Sequence, residues 1–169
     1  MNLEPIGVVR TGRTDPADTP VQASANLGEE GYLEIAAEYR DGLDGLETFS
    51  HAWFLTWLQR GDLQPVALHQ RPFLRQEGPP MGIFAMRGPR RPVPIGLSLV
   101  EIVSVETDIV RFRGVDMVDG TPLLDIKPYF PAADQPRSAV RAGWFDEIAV
   151  PEGATPNRLR DRPPGSDRP

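Results

Sequence analysis

The 169-residue chain contains no cysteine and only two histidines, His51 and His69. Without thiolates there can be no disulfide, no cysteine-ligated zinc, no iron–sulfur cluster and no cysteine nucleophile. Two histidines leave little from which to build a histidine-rich metal site, and no bound metal is expected. Long apolar runs are also missing, and the N-terminus, MNLEPIGVVR, lacks the basic-then-apolar pattern of a leader. The expectation is a soluble cytoplasmic protein with no membrane association. Glycine-rich phosphate loops are absent as well: GRTDPADTP, GLDGLE and RGPRRP fit neither the dinucleotide nor the nucleotide-triphosphate spacing. Positive charge is in short supply, with a net charge of −6 and a pI near 4.9, which argues against broad, nonspecific nucleic-acid binding.

What the chain does have is period-two alternation. Glu4 to Arg10 reads as a short strand, and Gly31 to Tyr39 begins another. One helical turn is expected from about Leu43 to Ser50, and His51 to Leu58 is apolar enough for a central strand. From Ile95 the signal is strongest: Leu97, Leu99, Val103 and Val105 share one parity, while Ser98, Val100, Ile102 and Ser104 share the other, so both faces should be covered. Glu106-Thr107-Asp108 supplies a turn into Ile109 to Arg113, with Val110 and Phe112 facing away from Arg111 and Arg113. A last strand is expected over Leu123 to Ile126. Short strands with little helical periodicity predict a mainly all-β fold, a small antiparallel barrel or sandwich with short helical turns. The predicted organisation is one β domain over residues 1–134, an extension over 135–150 packed on it through Trp144, Phe145, Ile148 and Val150, and a flexible tail over 151–169.

Several residues invite chemistry. Asp116, Asp119 and Asp125 lie within ten residues, but Asp119-Gly120 is a common turn pair and no phosphate loop accompanies them, so turn capping outweighs a magnesium site. Ser50 and His51 are adjacent on an extended stretch, so their side chains should point to opposite faces and not meet. Trp53 and Trp57 share one face, with core packing the stronger reading and base stacking the weaker. Arg71, Arg75, Arg87, Arg90 and Arg91 lie close in sequence. Prolines around Arg87 to Arg91 stiffen that backbone, as recognition of an anion or ligand requires.

Five blocks, in order, carry a family likeness: PIGVVRTG, GYLEI, GLETFSHAWFL, GIFAMRGPRRPVPIGLSLVEI and GVDMVDGTPLLDIKPYFP. From Glu4 to Pro131 the chain resembles the TsaA/TrmO family of tRNA methyltransferases that use S-adenosylmethionine (SAM). The resemblance implies a β-barrel homodimer with SAM held near the subunit boundary and threonylcarbamoyl-adenosine beside the tRNA anticodon as acceptor. It places SAM contacts at Pro20, Gln22, Ser50, His51, Arg87, Leu97, Asp119, Gly120, Thr121 and Pro122. Turn amides and the Thr121 hydroxyl would bond the adenine or methionine ends. Arg90 and Arg91 are then expected at the substrate, and Lys127 and Tyr129 are the candidate proton acceptors. The chain departs from the family pattern at Val21 and Val93, where the family carries Arg and Asn. Two functions stay open: a methyltransferase on tRNA or another small acceptor, and a non-catalytic SAM-binding sensor module.

Overall fold

Strands alternate inward and outward residues, and that alternation sets the architecture. The computed structural model describes residues 2–58, 66–75 and 77–160. Its strands are β1 (Gly7–Arg10), β2 (Glu30–Ile35), β3 (His51–Trp57), β4 (His69–Gln70), β5 (Met81–Gly82), β6 (Ile95–Glu106), β7 (Ile109–Arg113) and β8 (Pro122–Pro128). Six of them close into a barrel in the order β1-β2-β7-β6-β3-β8, and every neighbouring pair is antiparallel. Strands β4 and β5 form a separate two-stranded ribbon on the long excursion between β3 and β6. Closure removes the unpaired sheet edges that would otherwise invite association. Among the described residues no helix is long and apolar enough to cross a membrane.

One residue set from each strand fills the interior: Val9, Leu33, Ala52, Phe54, Val100, Val110, Phe112 and Leu123 are all wholly buried. Phe54 and Phe112 meet edge to face at the centre, with ring centroids 5.0 Å apart. A side chain at Gly31 would strike the Phe112 ring, with a Cβ only 2.9 Å from Cζ, so the glycine makes room for that ring. Truncating Phe112 would leave a cavity in a barrel with no second layer to collapse into it, at roughly 3–5 kcal/mol.

The predicted strands are present, with two departures. Residues Ala37–Leu43, expected to begin as strand, form a 3-10 helix, and a second 3-10 turn spans Leu46–Thr48. In β6 the register slips between Ile102 and Ser104 against β7. The bulge leaves Val103 exposed and turns both Ile102 and Val105 toward the core, so the simple parity reading fails at that point. Nor are both faces of β6 covered. Across β3 and β6 the outward pairs are Trp53 with Leu99, Leu55 with Leu97 and Trp57 with Ile95, and Leu97 and Ile95 are 55% and 40% exposed. Trp53 and Trp57 therefore line the outer wall and not the core. The turn from β6 to β7 puts Thr107 in left-handed backbone at φ 39°, the one non-glycine residue with positive φ among those described.

The C-terminal part differs from the expected loose tail at its start. Val21 N–H donates to Ala154 O at 2.9 Å, Gly153 N–H to Ala25 O at 2.6 Å and Asn157 N–H to Ala17 O at 3.0 Å. Ala154 and Thr155 are buried, and a short helix α2 spans Pro156–Arg160, after α1 at Pro131–Asp134. A few backbone hydrogen bonds and two small buried residues suffice to tie this segment to the 17–25 loop, and composition alone conceals that. The remainder of the expected tail, residues 161–169, lies outside the described residues. In the 135–150 stretch, Trp144 Nε1–H donates to Ala85 O at 2.7 Å, whereas Val150 is half-exposed and Val140 more so.

Candidate functional site

Three distant pieces of chain converge on Asp116 at one mouth of the barrel. Asp116 sits between Val115 and Met117, both buried. Its Oδ1 accepts a hydrogen bond from Ser98 Oγ at 2.7 Å, and its Oδ2 accepts one from Ala23 N–H at 3.0 Å. One residue back, Gln22 Oε1 accepts from Arg87 Nη1 at 2.9 Å, and Gln22 Nε2 donates to Val21 O at 2.8 Å. The result is a continuous chain of contacts from β6 through Asp116 and the 22–23 backbone to Arg87.

Asp116 keeps a partly accessible surface, yet protein atoms surround its carboxyl on most sides. Burial pushes its pKa up to about 6, against the opposing pull of the Ser98 and Ala23 hydrogen bonds and the more distant positive charge of Arg87. A carboxylate kept in a surrounding that disfavours its charge is an expensive feature for a fold that could have used serine or alanine. Such sites concentrate where chemistry or ligand binding is done. From the sequence this aspartate reads as a turn-capping residue or, less strongly, a magnesium ligand, and not as a buried carboxyl. The signal available was its position between two apolar residues in GVDMV.

The loop carrying Pro20 and Gln22 is staked down independently. Arg13 pairs with Glu29 through Nη2 at 2.6 Å and donates to Asp18 O at 3.1 Å, and that pairing lowers the Glu29 pKa. Asn26 Nδ2 reaches Val115 O at 2.8 Å. Pro20 is buried. The Asp119–Pro122 block is bonded into the fold. Its amides already donate, Asp119 to Arg13 O, Gly120 to Val9 O and Thr121 to Val118 O, and Thr121 Oγ1 also bonds Val118 O at 2.7 Å. With Thr121 only 2% exposed, this turn braces β1 against β8, and what it offers a ligand is the surface of Asp119 and Gly120.

Ser50 and His51 lie elsewhere. Contrary to the expectation from strand alternation, Ser50 Oγ and His51 Nδ1 are 2.9 Å apart. Ser50 precedes the strand, so its backbone is free of the alternation that keeps neighbours apart within one. His51 is exposed on the outer face of β3, whereas Ser98, opposite Phe54, faces the interior. They are separated by three residues of β3, about 10 Å at ~3.3 Å per residue. Leu97, opposite Leu55, lies one position beyond Ser98 and on the outer face. One chain therefore gathers Gln22 and Arg87 but does not join them to Ser50 and His51.

The remaining candidates are engaged. Lys127 Nζ pairs with Asp125 Oδ2 at 2.7 Å, and an ion-paired ammonium has no lone pair with which to accept a proton. Tyr129 OH accepts from Gln135 Nε2 at 3.1 Å, and its ring meets Trp53 edge-on. Arg91 donates to Ile83 O at 2.8 Å and Met86 O at 3.0 Å, so it pins the turn before it, and Arg90 lends its carbonyl to Gln70. Asp116, Asp119 and Asp125 face three different sets of partners, and among the described residues no group of three or more potential metal ligands converges.

Residues 8–135 match the model of the tRNA-methyltransferase O N-terminal domain. The chain belongs to the TrmO family. It is 41% identical over 143 residues to a Pyrococcus abyssi protein named "Probable S-adenosyl-L-methionine-binding protein", covering 85% of this chain and 75% of that one. The tRNA (adenine(37)-N6)-methyltransferase of Escherichia coli is 38% identical over 141 residues, 78% of this chain but 59% of the enzyme. A crystal structure of TrmO from Pseudomonas aeruginosa superposes with a TM-score of 0.72 at 33% identity, over 89% of this chain and 64% of that one. The barrel is thus the family fold, and the chain spans less than two thirds of those two bacterial relatives. The donor set suits the family's cofactor. SAM presents a carboxylate and a purine edge that need N–H donors, and an ammonium and a sulfonium that need acceptors. Arg87, Gln22 and Asp116 supply both kinds at one mouth, and Leu97 supplies an uncovered apolar wall.

Proposed function

We propose that this protein is a SAM-dependent methyltransferase that acts on N6 of threonylcarbamoyl-adenosine beside the tRNA anticodon, in the cytoplasm, as a homodimer. The observation that carries the reading is the Ser98–Asp116–Ala23 linkage with Gln22 and Arg87 beside it, which brings three separate stretches of chain, 22–23, 87–98 and Asp116, to one place. When bound, SAM supplies an electrophilic methyl group on a sulfonium. The chain's own contribution is position and exclusion of water: Arg87 and Gln22 hold the polar ends, and Asp116 fixes the backbone on which Gln22 rides. The ureido N–H of the acceptor is more acidic than an amine N–H, so a modest acceptor suffices. Lys127, already ion-paired, is a weaker candidate for it than Tyr129.

Homodimerisation is supported by the outer wall of β3 and β6. Trp53, Leu55, Trp57, Ile95 and Leu97 make a contiguous apolar strip of a kind that monomeric proteins rarely leave bare. A second copy seated there would cover Leu97 and bring another Ser50-His51 pair toward the strip, which suits a cofactor site at the subunit boundary. The experiment is mass spectrometry of anticodon-loop nucleosides from cells with and without the gene. Loss of the methylated threonylcarbamoyl-adenosine on deletion supports the reading. Unchanged nucleosides, with SAM still bound by the purified protein, favour the sensor module.

A further inference from the structure

A second feature lies next to Arg87, around Phe84 and Trp144, two aromatics to which the family resemblance assigns no role. The 3-10 turn Ile83–Ala85 holds Phe84 out in solvent at 81% exposure, the most exposed large hydrophobic residue among those described. The turn is held from behind by two hydrogen bonds from Arg91 to Ile83 O and Met86 O, and the Arg91 guanidinium lies 5.7 Å from the Phe84 ring centre. Facing it is the 3-10 turn Gly143–Glu147, where Trp144 and Phe145 stack with centroids 3.9 Å apart and planes 25° from parallel. The Trp144 indole N–H, bonded to Ala85 O at 2.7 Å, locks the two turns together. Between them is a cleft of about 430 Å³ lined by Phe84, Met86, Arg87, Arg141 and Trp144.

Each part has a bland explanation by itself, since single exposed aromatics are ordinary. Their combination does not. Two rigid aromatic turns, fixed by backbone-directed hydrogen bonds, flank a cleft carrying two arginines, Arg87 and Arg141, in a chain whose net charge is −6. Flat apolar faces with guanidinium groups at the rim match one chemistry in particular: an unpaired nucleobase, which offers a π-face to stack, joined to phosphates that carry negative charge.

We propose that the cleft between Phe84 and Trp144 receives an unstacked nucleobase of the acceptor RNA, with Arg141 at its backbone. This rests on the methyltransferase reading above and adds to it the place where RNA docks. Arg87 lies at the boundary, with its guanidinium on Gln22 and its residue in the cleft wall, so the base enters beside the SAM-facing groups.

The test uses the whole protein and tRNA from a strain lacking the gene. Phe84→Ala, Phe84→Tyr and wild type are compared for tRNA affinity by fluorescence anisotropy, for KM and kcat of methylation, for SAM affinity, for oligomeric state and for melting temperature. The expected result is a roughly tenfold or greater rise in the tRNA Kd and KM for Phe84→Ala, with kcat, SAM affinity and melting temperature unchanged, and recovery with Phe84→Tyr. If wild type methylates tRNA and Phe84→Ala does so with the same KM, the cleft assignment is overturned while the methyltransferase reading stands. If wild type neither binds nor methylates tRNA, both fall together. If Phe84→Ala instead dissociates a dimer, a second copy covers the ring and the RNA assignment is overturned.

Discussion

Replacing Asp116 by asparagine should stabilise the protein at neutral pH. Asparagine has the same shape, and its Oδ1 can accept from Ala23 N–H while its Nδ2 donates to Ser98 Oγ, whose hydroxyl rotates to accept. What is removed is a charge that burial disfavours. The folded pKa lies at about 6 against an ordinary 3.8, so the folded state binds the proton more tightly than the unfolded one. The sign follows: this group favours folding most below about pH 4, and stability is lost as pH rises from there to about 6. At 1.36 kcal/mol per pH unit the interval amounts to about 3 kcal/mol, and because the residue is partly accessible the measured effect should be on the order of 1–3 kcal/mol. Urea titrations of wild type and Asp116→Asn at pH 4, 5, 6, 7 and 8 measure it directly. The two should be nearly equal at pH 4, with the variant ahead by a growing margin that levels off above about pH 7. A variant that is less stable at pH 8, or a difference that does not change with pH, would refute the burial argument.

Other outcomes follow from single features. Thr56 Oγ1 is fully buried on β3 with no hydrogen-bond partner, so Thr56→Val should gain about 1 kcal/mol in chemical denaturation, and a loss would mean that the hydroxyl is satisfied in solution. Thr107, β-branched at φ 39°, should be relieved by Thr107→Gly, with a gain of roughly 0.5–1 kcal/mol and a higher melting temperature; a lower one would contradict the strain reading. Deleting residues 151–169 removes the Val21–Ala154, Gly153–Ala25 and Asn157–Ala17 hydrogen bonds that hold the loop bearing Gln22. Calorimetry should then show SAM affinity reduced by roughly tenfold, about 1.4 kcal/mol, and unchanged affinity would separate this segment from the site.

The strands were legible because each carries its own period-two pattern, and the pattern survives any global arrangement. The order in which they pair was not, since it depends on contacts between segments as distant as β1 and β8. Nor was it visible that the apolar parity of β6 containing Leu97 points outward, because alternation marks two faces without saying which is inside. Of the site, the family blocks pointed to Gln22 and Arg87, which do meet. The same blocks did not separate groups available to a ligand from groups that brace the fold, so Thr121, already bonded to Val118, read as a donor. Strand geometry separates neighbouring side chains only within a strand, and it does not govern Ser50 and His51, which straddle the start of β3. Phe84 was invisible in sequence, where nothing distinguishes an exposed aromatic from one in the core.

The most direct test of the central claim is methyl transfer by the purified protein. Wild type and Arg87→Met are incubated with SAM labelled in its methyl group and tRNA that carries threonylcarbamoyl-adenosine, with a chelator present, and label in the anticodon-loop nucleoside is followed over time. Label should accumulate at N6 of that nucleoside over many turnovers with wild type and fall by tenfold or more with Arg87→Met, whose melting temperature should match wild type because the guanidinium is exposed. SAM binding by wild type without any transfer to this tRNA would contradict the account.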